Sequence, residues 1–405
     1  MRVTTAFNRM LKLPGASVVS VAFSDVGVVV GLRQRTRRLR CPCGFTTRAR
    51  YDTRRRRWRH LDAGACQIWL EAEIRRVDCP TCGVRTEDVP WARPGARHSR
   101  DFQDVVAWLC QRMDKTSVCR LMRCSREAVD RIVADVVGDY LNGSRLDDLY
   151  HIGVDEIAYR RGHKYLTIVA DHDSGDVVWL AEDRSKQALT SFYDALGKER
   201  RAQLEAVSMD MSSIYREATR EAVPHAAICC DAFHLMQWVN AALDSIYSQT
   251  PRAETTITAG RQWQRTRTAL RTGKERLDRD QRKLVNELRR QRHALFRAWE
   301  LKEQFRALFR TVAPADATRY LELWCRRAAR SKLRPFVNLM RRIRTHFDGI
   351  INTVHYGLSN SRLEGINAKI RLINNRAHGH RSVNALSNSI YLCLGGITIT
   401  PPTQR

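Results

Sequence analysis

The stretch that decides the fold is HIGVDEIAYRRGHKYLTIVADHDSG, residues 151–175. It opens with an apolar run that ends at Asp155, crosses a turn at residues 160–162 and returns through a second apolar run, residues 165–170. This pattern predicts a β-hairpin. A carboxylate within a mostly buried strand is either paired or bound to a metal, so Asp155 is a candidate ligand.

The overall charge indicates the kind of partner. The chain has 405 residues, which predicts two to four domains. Its 70 Lys and Arg residues outnumber 43 Asp and Glu, for a formal charge of +27. That excess favours nucleic acid or an anionic membrane surface. No apolar run approaches the roughly 20 residues of a membrane-spanning helix, and the first residues lack a signal-peptide pattern, so we expect nucleic acid and no membrane.

Four of the twelve cysteines form two pairs, each followed by glycine: Cys41 with Cys43, and Cys79 with Cys82. Such turns aim two thiolates at one ion, and four thiolates suit tetrahedral zinc. The second pair has the usual C-x-x-C spacing. The C-x-C spacing of the first pair leaves a three-thiolate site, or unrelated reduced cysteines, as alternatives to the predicted structural zinc site.

A basic run lies between the two cysteine pairs, after a predicted hairpin at residues 17–32 and before a predicted strand at residues 67–77. Arginines neutralise phosphates and an aromatic ring can lie against a sugar or base, which predicts a DNA contact. A solvated basic edge is the alternative. The residues assigned to this contact are Arg54, Arg55, Arg56, Arg57 and Trp58.

A helical pattern begins at residue 101. A short helix, a turn near residues 123–124 and a longer helix capped by Ser125 are typical of a helix-turn-helix, whose second helix enters the major groove. Arg126 and Arg131 are then expected to face DNA. A helical pair without DNA-binding activity is the alternative. The apolar stripe of the longer helix comprises Val129, Ile132, Val133 and Val136.

Beyond residue 145 the elements follow the order βββαβαβ, with Asp155 on the first strand and Asp210 at the end of the fourth. This is the ribonuclease H-like layout, which sets the two acids on neighbouring strands. Mg²⁺ prefers such hard oxygen ligands. Glu364 is the expected third acid, on a predicted helix at residues 359–371 whose buried stripe comprises Leu363, Ile366 and Ile370.

The interval between Asp210 and Glu364 is far longer than the remaining strand and helix require, which predicts an all-α insertion at residues 237–350. Leucines recur there at heptad-like intervals. Packing within the chain is favoured over a coiled-coil dimer, because the stripe is only about three heptads long. The leucines are Leu270, Leu277, Leu284, Leu288 and Leu295.

Five motifs carry a family resemblance: GVDE with GHKYLTIVAD, VSMDMSSIYREA, CCDAFHLMQWVN and SNSRLEGINAKIRLINNRAHGHRS. They resemble the DDE transposases of bacterial insertion sequences of the ISL3 type, over most of the chain. The resemblance implies that Asp155, Asp210 and Glu364 form a metal-binding triad. It also implies that Asp231 and His234 match an auxiliary [C/D]-x-x-H motif.

The resemblance further implies a bacterial, cytoplasmic, nucleoid-associated enzyme that binds the terminal inverted repeats of its own element. Cleavage and strand transfer would proceed by two-metal phosphoryl transfer with Mg²⁺ or Mn²⁺, Asp155 bridging both ions. A homodimer would hold two DNA ends together. Basic residues around the Glu364 helix are expected to hold DNA phosphates. They are Lys369, Arg376, His378, His380 and Arg381.

The predicted fold is a multidomain α/β protein. We expect a β-rich zinc-binding domain at residues 1–95, a helix-turn-helix at 96–145 and a ribonuclease H-like mixed sheet at 146–236. The all-α insertion at 237–350 and the last core helix with its tail at 351–405 complete the chain. Two other functions stay open: a DNA-binding regulator derived from a transposase, and a ribonuclease H-like nuclease such as a junction resolvase.

Overall fold

The computed structural model describes residues 2–141, 143–160, 162, 164–251, 260–291, 293–358, 361–377 and 379–404. The chain forms two compact units, Met1–Ser144 with Leu372–Arg405, and Arg145–Arg371. The first division lies beside the expected boundary near residue 145, whereas the expected domain 351–405 is divided between the units. Within the described ranges, no helix combines the length and apolar character needed to span a bilayer.

A five-stranded sheet builds the first unit, in the order β1-β2-β6-β5 with β7 paired to β6. β2 and β6 run parallel and the other pairs antiparallel. Alternate residues of β6, from Ile68 to Ile74, are buried, as expected for a strand with one face on a core. The predicted hairpin and the predicted strand at 67–77 are confirmed. The elements are α1 (Val3–Leu11), β1 (Ala16–Ser24), β2 (Gly27–Gln34), β3 (Leu39–Arg40), β4 (Thr46–Thr47), β5 (Thr53–Ala63), β6 (Cys66–Cys79) and β7 (Gly83–Thr86).

Three helices follow, α2 (Arg100–Cys110), α3 (Lys115–Met122) and α4 (Arg126–Tyr140). Ser125 caps α4 by accepting a hydrogen bond from the Ala128 N–H at 3.2 Å, as predicted. Arg123 ends α3 in the left-handed conformation, with φ of 49°, and so makes a tight turn into α4. The predicted apolar stripe of α4 is buried.

The second unit contains a mixed sheet in the order β10-β9-β8-β11-β12. β8, β9 and β10 are consecutive in the chain, and β9 pairs antiparallel with both of the others. β11 runs parallel to β8 on one side and to β12 on the other. The predicted order βββαβαβ is confirmed; residue 161 of the predicted turn lies outside the described residues. The elements are β8 (His151–Arg160), β9 (Lys164–Asp171), β10 (Val177–Glu182), α5 (Lys186–Arg201), β11 (Ala206–Met209), α6 (Ser213–Ala222) and β12 (Ala227–Cys230).

Consecutive helices follow β12, and the described residues beyond it form no further strand. Leu270, Leu288 and Leu295 lie on three separate helices and share one apolar core, which confirms packing within the chain over a continuous coiled coil. Trp263 and Trp324 are buried in the same core. The helices are α7 (Ala232–Gln249), α8 (Gly260–Arg271), α9 (Arg279–Arg290), α10 (Ala294–Leu308), α11 (Ala317–Arg330), α12 (Arg334–Thr345) and α13 (Phe347–Tyr356).

Helix α14 (Ser361–Arg376) packs on the sheet through the predicted stripe, which is buried. Leu363 contacts β8 at Gly153, where an added Cβ would lie 2.6 Å from Leu363 Cδ1, so any larger residue at position 153 would displace Leu363. Arg362 donates hydrogen bonds to the carbonyls of His172 and Asp173, after β9. The first turn of α14 is therefore fixed over the middle of the sheet.

Helix α15 (Val383–Leu394) packs against α4 in the first unit. The Gln111 side chain donates hydrogen bonds to the carbonyls of Leu392, at 2.7 Å, and Ile397, at 3.0 Å. The chain end is thus part of the unit that contains the three helices α2 to α4.

Replacement of Leu363 by alanine tests the packing of α14. Leu363 is 1% exposed, so Leu363→Ala should lower the free energy of unfolding by about 2–5 kcal/mol. Leu372, on the same helix, is 56% exposed, and Leu372→Ala should change it by less than about 0.5 kcal/mol. Urea denaturation followed by tryptophan fluorescence measures both. Equal losses would contradict the assigned face.

Candidate active site and metal centre

Asp155 is held in place from two sides. Its Oδ1 accepts a hydrogen bond from the Glu156 backbone N–H at 2.8 Å, and its Oδ2 accepts one from Asn367 Nδ2 at 2.7 Å. Burial raises the pKa of Asp155 because the charged form loses solvation. The second bond ties β8 to α14, the helix that carries Glu364.

Asp210 directly follows β11 and accepts a hydrogen bond from the Ser212 N–H at 2.8 Å, just before α6. Arg184 lies close to it: one guanidinium nitrogen is 3.9 Å from Asp210 Oδ2 and another is 2.7 Å from Glu156 Oε1. Burial, followed by the charge of Asp210, raises the pKa of Glu156 to about 7. The two neighbouring acids thus have different partners: Glu156 pairs with Arg184, whereas Asp155 accepts a hydrogen bond from Asn367.

Asp231 and His234 form a hydrogen-bonded pair at the start of α7. Asp231 is 2% exposed and caps the helix through the Phe233 N–H at 2.9 Å. Its other oxygen lies 2.6 Å from His234 Nδ1. This hydrogen bond, with the negative charges of Asp210 and Asp155, raises the pKa of His234. The imidazole is thus poised to hold a proton beside the acids.

Glu364 projects from α14 one turn before Asn367, so the two side chains share a helix face. Glu364 is exposed as a residue, but its carboxyl group loses part of its solvation. This partial burial, followed by the charge of Asp231, raises the pKa of Glu364. Asp155 and Glu364 each interact electrostatically with Asp231 and His234, and Asp210 interacts with His234. This set of carboxylate oxygens suits Mg²⁺ or Mn²⁺. The buried Oδ1 of Asn367 has no hydrogen-bond partner, which also fits a cation.

The four cysteines of the predicted zinc site meet at one point. Their sulfur atoms all lie within 4.8 Å of one another, and the Sγ atoms of Cys43 and Cys79 are 3.6 Å apart. In the part of the chain that the structure describes, this is the one group of three or more Cys, His, Asp or Glu residues whose ligand atoms are gathered closely enough for a metal ion, and the three acids are not gathered in this way. The cluster could hold a metal ion.

The short C-x-C spacing is accommodated by a tight turn. The Gly44 N–H donates to the Cys41 carbonyl at 2.8 Å, and Gly44 has φ of 99°, which glycine adopts without strain. A hydrogen bond from the Phe45 backbone lowers the pKa of Cys43 to about 7, which favours the thiolate form that binds metals. The tight turn lets both Cys41 and Cys43 reach the cluster, so the geometry permits a site with four thiolates rather than three.

The basic run lies on β5. Arg54, Arg55 and Arg57 are exposed, although Arg55 and Arg57 both pair with Glu71, and Arg56 donates to the Ala96 carbonyl at 2.7 Å. Trp58 is 1% exposed and packs edge-on against Trp91, with ring centroids 5.8 Å apart. Its predicted contact with a base is wrong, because Trp58 pairs with Leu70 of β6 and shares the buried core of this sheet.

The other predicted DNA-binding residues have different environments. On α4, Arg131 is exposed, whereas Arg126 donates hydrogen bonds to the carbonyls of Ala377 and Gly379 and so holds the segment after α14. Lys369 is exposed on α14. In the segment shared with the first unit, Arg376 is half-buried, Arg381 pairs with Glu127 and His380 is buried; residue 378 lies outside the described residues.

Two residues of the site are missing from the sequence-based prediction of its members. Asn367 is not among the predicted site residues, yet it donates a hydrogen bond to Asp155; its position three residues after Glu364 is the signal that could have identified it. Arg184 lies in the turn before α5, and no motif marks it.

Comparison with known proteins identifies the family. A model described as "Transposase", of the ISL3 type, matches residues 152–390, and one described as the helix-turn-helix domain of transposase family ISL3 matches residues 87–137. The second match spans α2, α3 and most of α4, and confirms the predicted helix-turn-helix.

Curated relatives agree. The chain is 37% identical over 387 residues to the transposase for insertion sequence element IS1557 in two strains of Mycobacterium tuberculosis, with 86% of this chain and 84% of the relative covered. It is 25% identical over 342 residues to the transposase for insertion sequence element IS1001 of Bordetella parapertussis, with 84% of each chain covered. The chain thus belongs to the ISL3 family of transposases.

Proposed function

We propose that this transposase cleaves and transfers the DNA ends of its own insertion sequence at Asp155, Asp210 and Glu364. The observation that carries the proposal is the hydrogen bond from Asn367 to Asp155, which brings α14 and Glu364 to the strand that bears the first acid. The strand order β10-β9-β8-β11-β12, with parallel strands beside three antiparallel ones, supports a ribonuclease H-like core.

The three acids would hold the divalent cations, Mg²⁺ or Mn²⁺. When bound, the cations activate the attacking oxygen and stabilise the leaving oxygen of a phosphoryl transfer. Asn367 orients the Asp155 carboxylate, and Arg184 offsets negative charge between Glu156 and Asp210. These two residues keep the acids in place although like charges repel each other.

The Asp231–His234 pair supplies a group that can hold or release a proton near the reacting phosphate. Its hydrogen bond fixes Nδ1, which leaves Nε2 to exchange a proton. No residue of the site needs to form a covalent bond with DNA in this reaction, because water or a DNA hydroxyl is the nucleophile.

The first unit would recognise the terminal inverted repeats. The helix-turn-helix presents Arg131 on an exposed face of α4, and β5 presents Arg54, Arg55 and Arg57. Zinc bound by the four cysteines would join the β3–β4 turn to the β6–β7 turn and hold this domain together. Two chains would hold two DNA ends, at the bacterial nucleoid in the cytoplasm. The expected domain boundaries near residues 95, 145, 236 and 350 remain predictions, and the last of these domains would contribute to both compact units.

Neutral variants of the acids test the catalytic assignment. Asp155→Asn, Asp210→Asn and Glu364→Gln should each lower end cleavage in Mg²⁺ by more than about 100-fold, since a lost ligand removes several kcal/mol of charge stabilisation. Specific end binding should persist. Glu217→Gln, at an exposed acid on α6, is the matched control and should cleave normally. Normal cleavage by any variant of the three would remove that residue from the triad.

Serine variants test the zinc proposal. Wild-type protein should contain about one zinc ion per chain by mass spectrometry of the metal, because four thiolates complete one tetrahedral site. Cys43→Ser and Cys79→Ser should each lower the zinc content and the melting temperature. Cys66 is exposed at the other end of β6, so Cys66→Ser should retain zinc. Wild-type protein without zinc would overturn the assignment.

Arg131→Gln tests the recognition helix. Loss of a base contact should weaken binding to the terminal repeat by about 1–3 kcal/mol, with a smaller effect on unrelated DNA. Competition electrophoresis at fixed salt measures the ratio. Arg319→Gln, at an exposed arginine of α11, controls for the lost charge. An unchanged ratio of specific to unrelated binding would exclude base readout by Arg131.

A further inference from the structure

A basic cavity of about 230 Å³ lies in the second unit, apart from the acids. It is lined by residues of α6, of β12 and of the junction between α12 and α13. The charged side chains that line it are Arg216, Arg220, Arg344 and Asp348, and the polar ones include His346 and Asn352.

The arginines of this cavity lack acidic partners. Among the residues that the structure describes, no carboxylate oxygen lies within 4.0 Å of the guanidinium nitrogens of Arg216, Arg220 or Arg344. Three guanidinium charges and the single carboxylate of Asp348 give the lining a net charge of +2, since 3 − 1 = 2. Elsewhere in the same unit a clustered arginine is neutralised, as Arg306 is by Glu275 and Glu303.

The contact between Arg216 and His346 shows that the His346 ring is neutral, so the positive charge of the cavity comes from its arginines. Arg216 Nη2 lies 2.6 Å from His346 Nδ1. A guanidinium only donates hydrogen bonds, so Nδ1 must accept and the ring is neutral. Burial and the charge of Arg216 lower the pKa of His346 accordingly. The remaining N–H groups of the three arginines are suited to a phosphate, which accepts several charge-assisted hydrogen bonds at once.

We propose that this cavity is a phosphate-binding site, which holds a backbone phosphate of the DNA strand that is engaged at the acids. This step rests on the proposed function. Arg216 and Arg220 lie three and seven residues after Ser213, the first residue of α6, or roughly 5 and 10 Å along the helix. Asp210 accepts a hydrogen bond from the backbone of Ser212, just before α6 begins. The helix therefore starts beside the second acid and carries Arg216 and Arg220 to the cavity.

The salt dependence of DNA binding tests the site in the full-length chain. Arg220 and Arg344 are exposed, so the double variant Arg220→Gln/Arg344→Gln spares the Arg216–His346 contact and should fold. For a fluorescent single-stranded oligonucleotide, the slope of log K against log salt should fall by about 1.4, or about 0.7 per lost phosphate contact. The control Arg319→Gln/Arg330→Gln removes two exposed arginines of α11 and should keep the wild-type slope.

Calorimetric titration with pyrophosphate separates a strand from a small phosphate compound as the occupant. We expect wild-type protein to bind pyrophosphate, and the Arg220→Gln/Arg344→Gln variant to lose this binding together with the salt slope. Loss of pyrophosphate binding with an unchanged slope would overturn the strand assignment. Wild-type behaviour in both measurements, or equal slope changes in the control, would overturn the site. Neither measurement requires cleavage, so a failure of the catalytic proposal would appear separately, in the Asp210→Asn variant.

Discussion

The hydrogen bond between Asn367 and Asp155 is the contact on which the acidic site depends. It joins residues separated by more than two hundred positions, and one turn earlier on α14 Leu363 packs against the bare backbone of Gly153. The apolar contact fixes the height of α14 over β8, and the polar contact fixes its rotation. Glu364 shares the face of Asn367, so both contacts determine where the third acid lies.

This arrangement concentrates negative charge, and the structure offsets it with neighbouring cationic groups. Arg184 bridges Glu156 and Asp210, while His234 pairs with Asp231. Neither of these ion pairs includes Asp155 or Glu364. Divalent cations bound by the three acids would compensate the negative charge that Arg184 and His234 leave in the site. This is consistent with the role proposed for the triad.

The sequence predicted most of the elements because their signals are local. Alternation and turn residues indicated β8, β9 and β6, and the Ser125 cap with its apolar stripe indicated α4. The error at Trp58 concerns orientation: the ring lies in a run of arginines, yet it packs in the core beside Leu70 and Trp91. The bonds of Arg126 to carbonyls far along the chain were not predicted either. Such contacts depend on tertiary packing, which neither composition nor spacing reports.

The distribution of basic residues explains how a chain of charge +27 can stay folded and still bind DNA. Many arginines are neutralised within the structure, as Arg93 is by Asp104 and Asp139, and these residues stabilise packing. Others, such as Arg131 on α4 and the three arginines of the basic cavity, have no carboxylate within ion-pair distance among the described residues. Unpaired cations repel one another and destabilise the free protein. A polyanion that binds them relieves this repulsion, so the positions of the unpaired arginines indicate where a DNA strand would contact each unit.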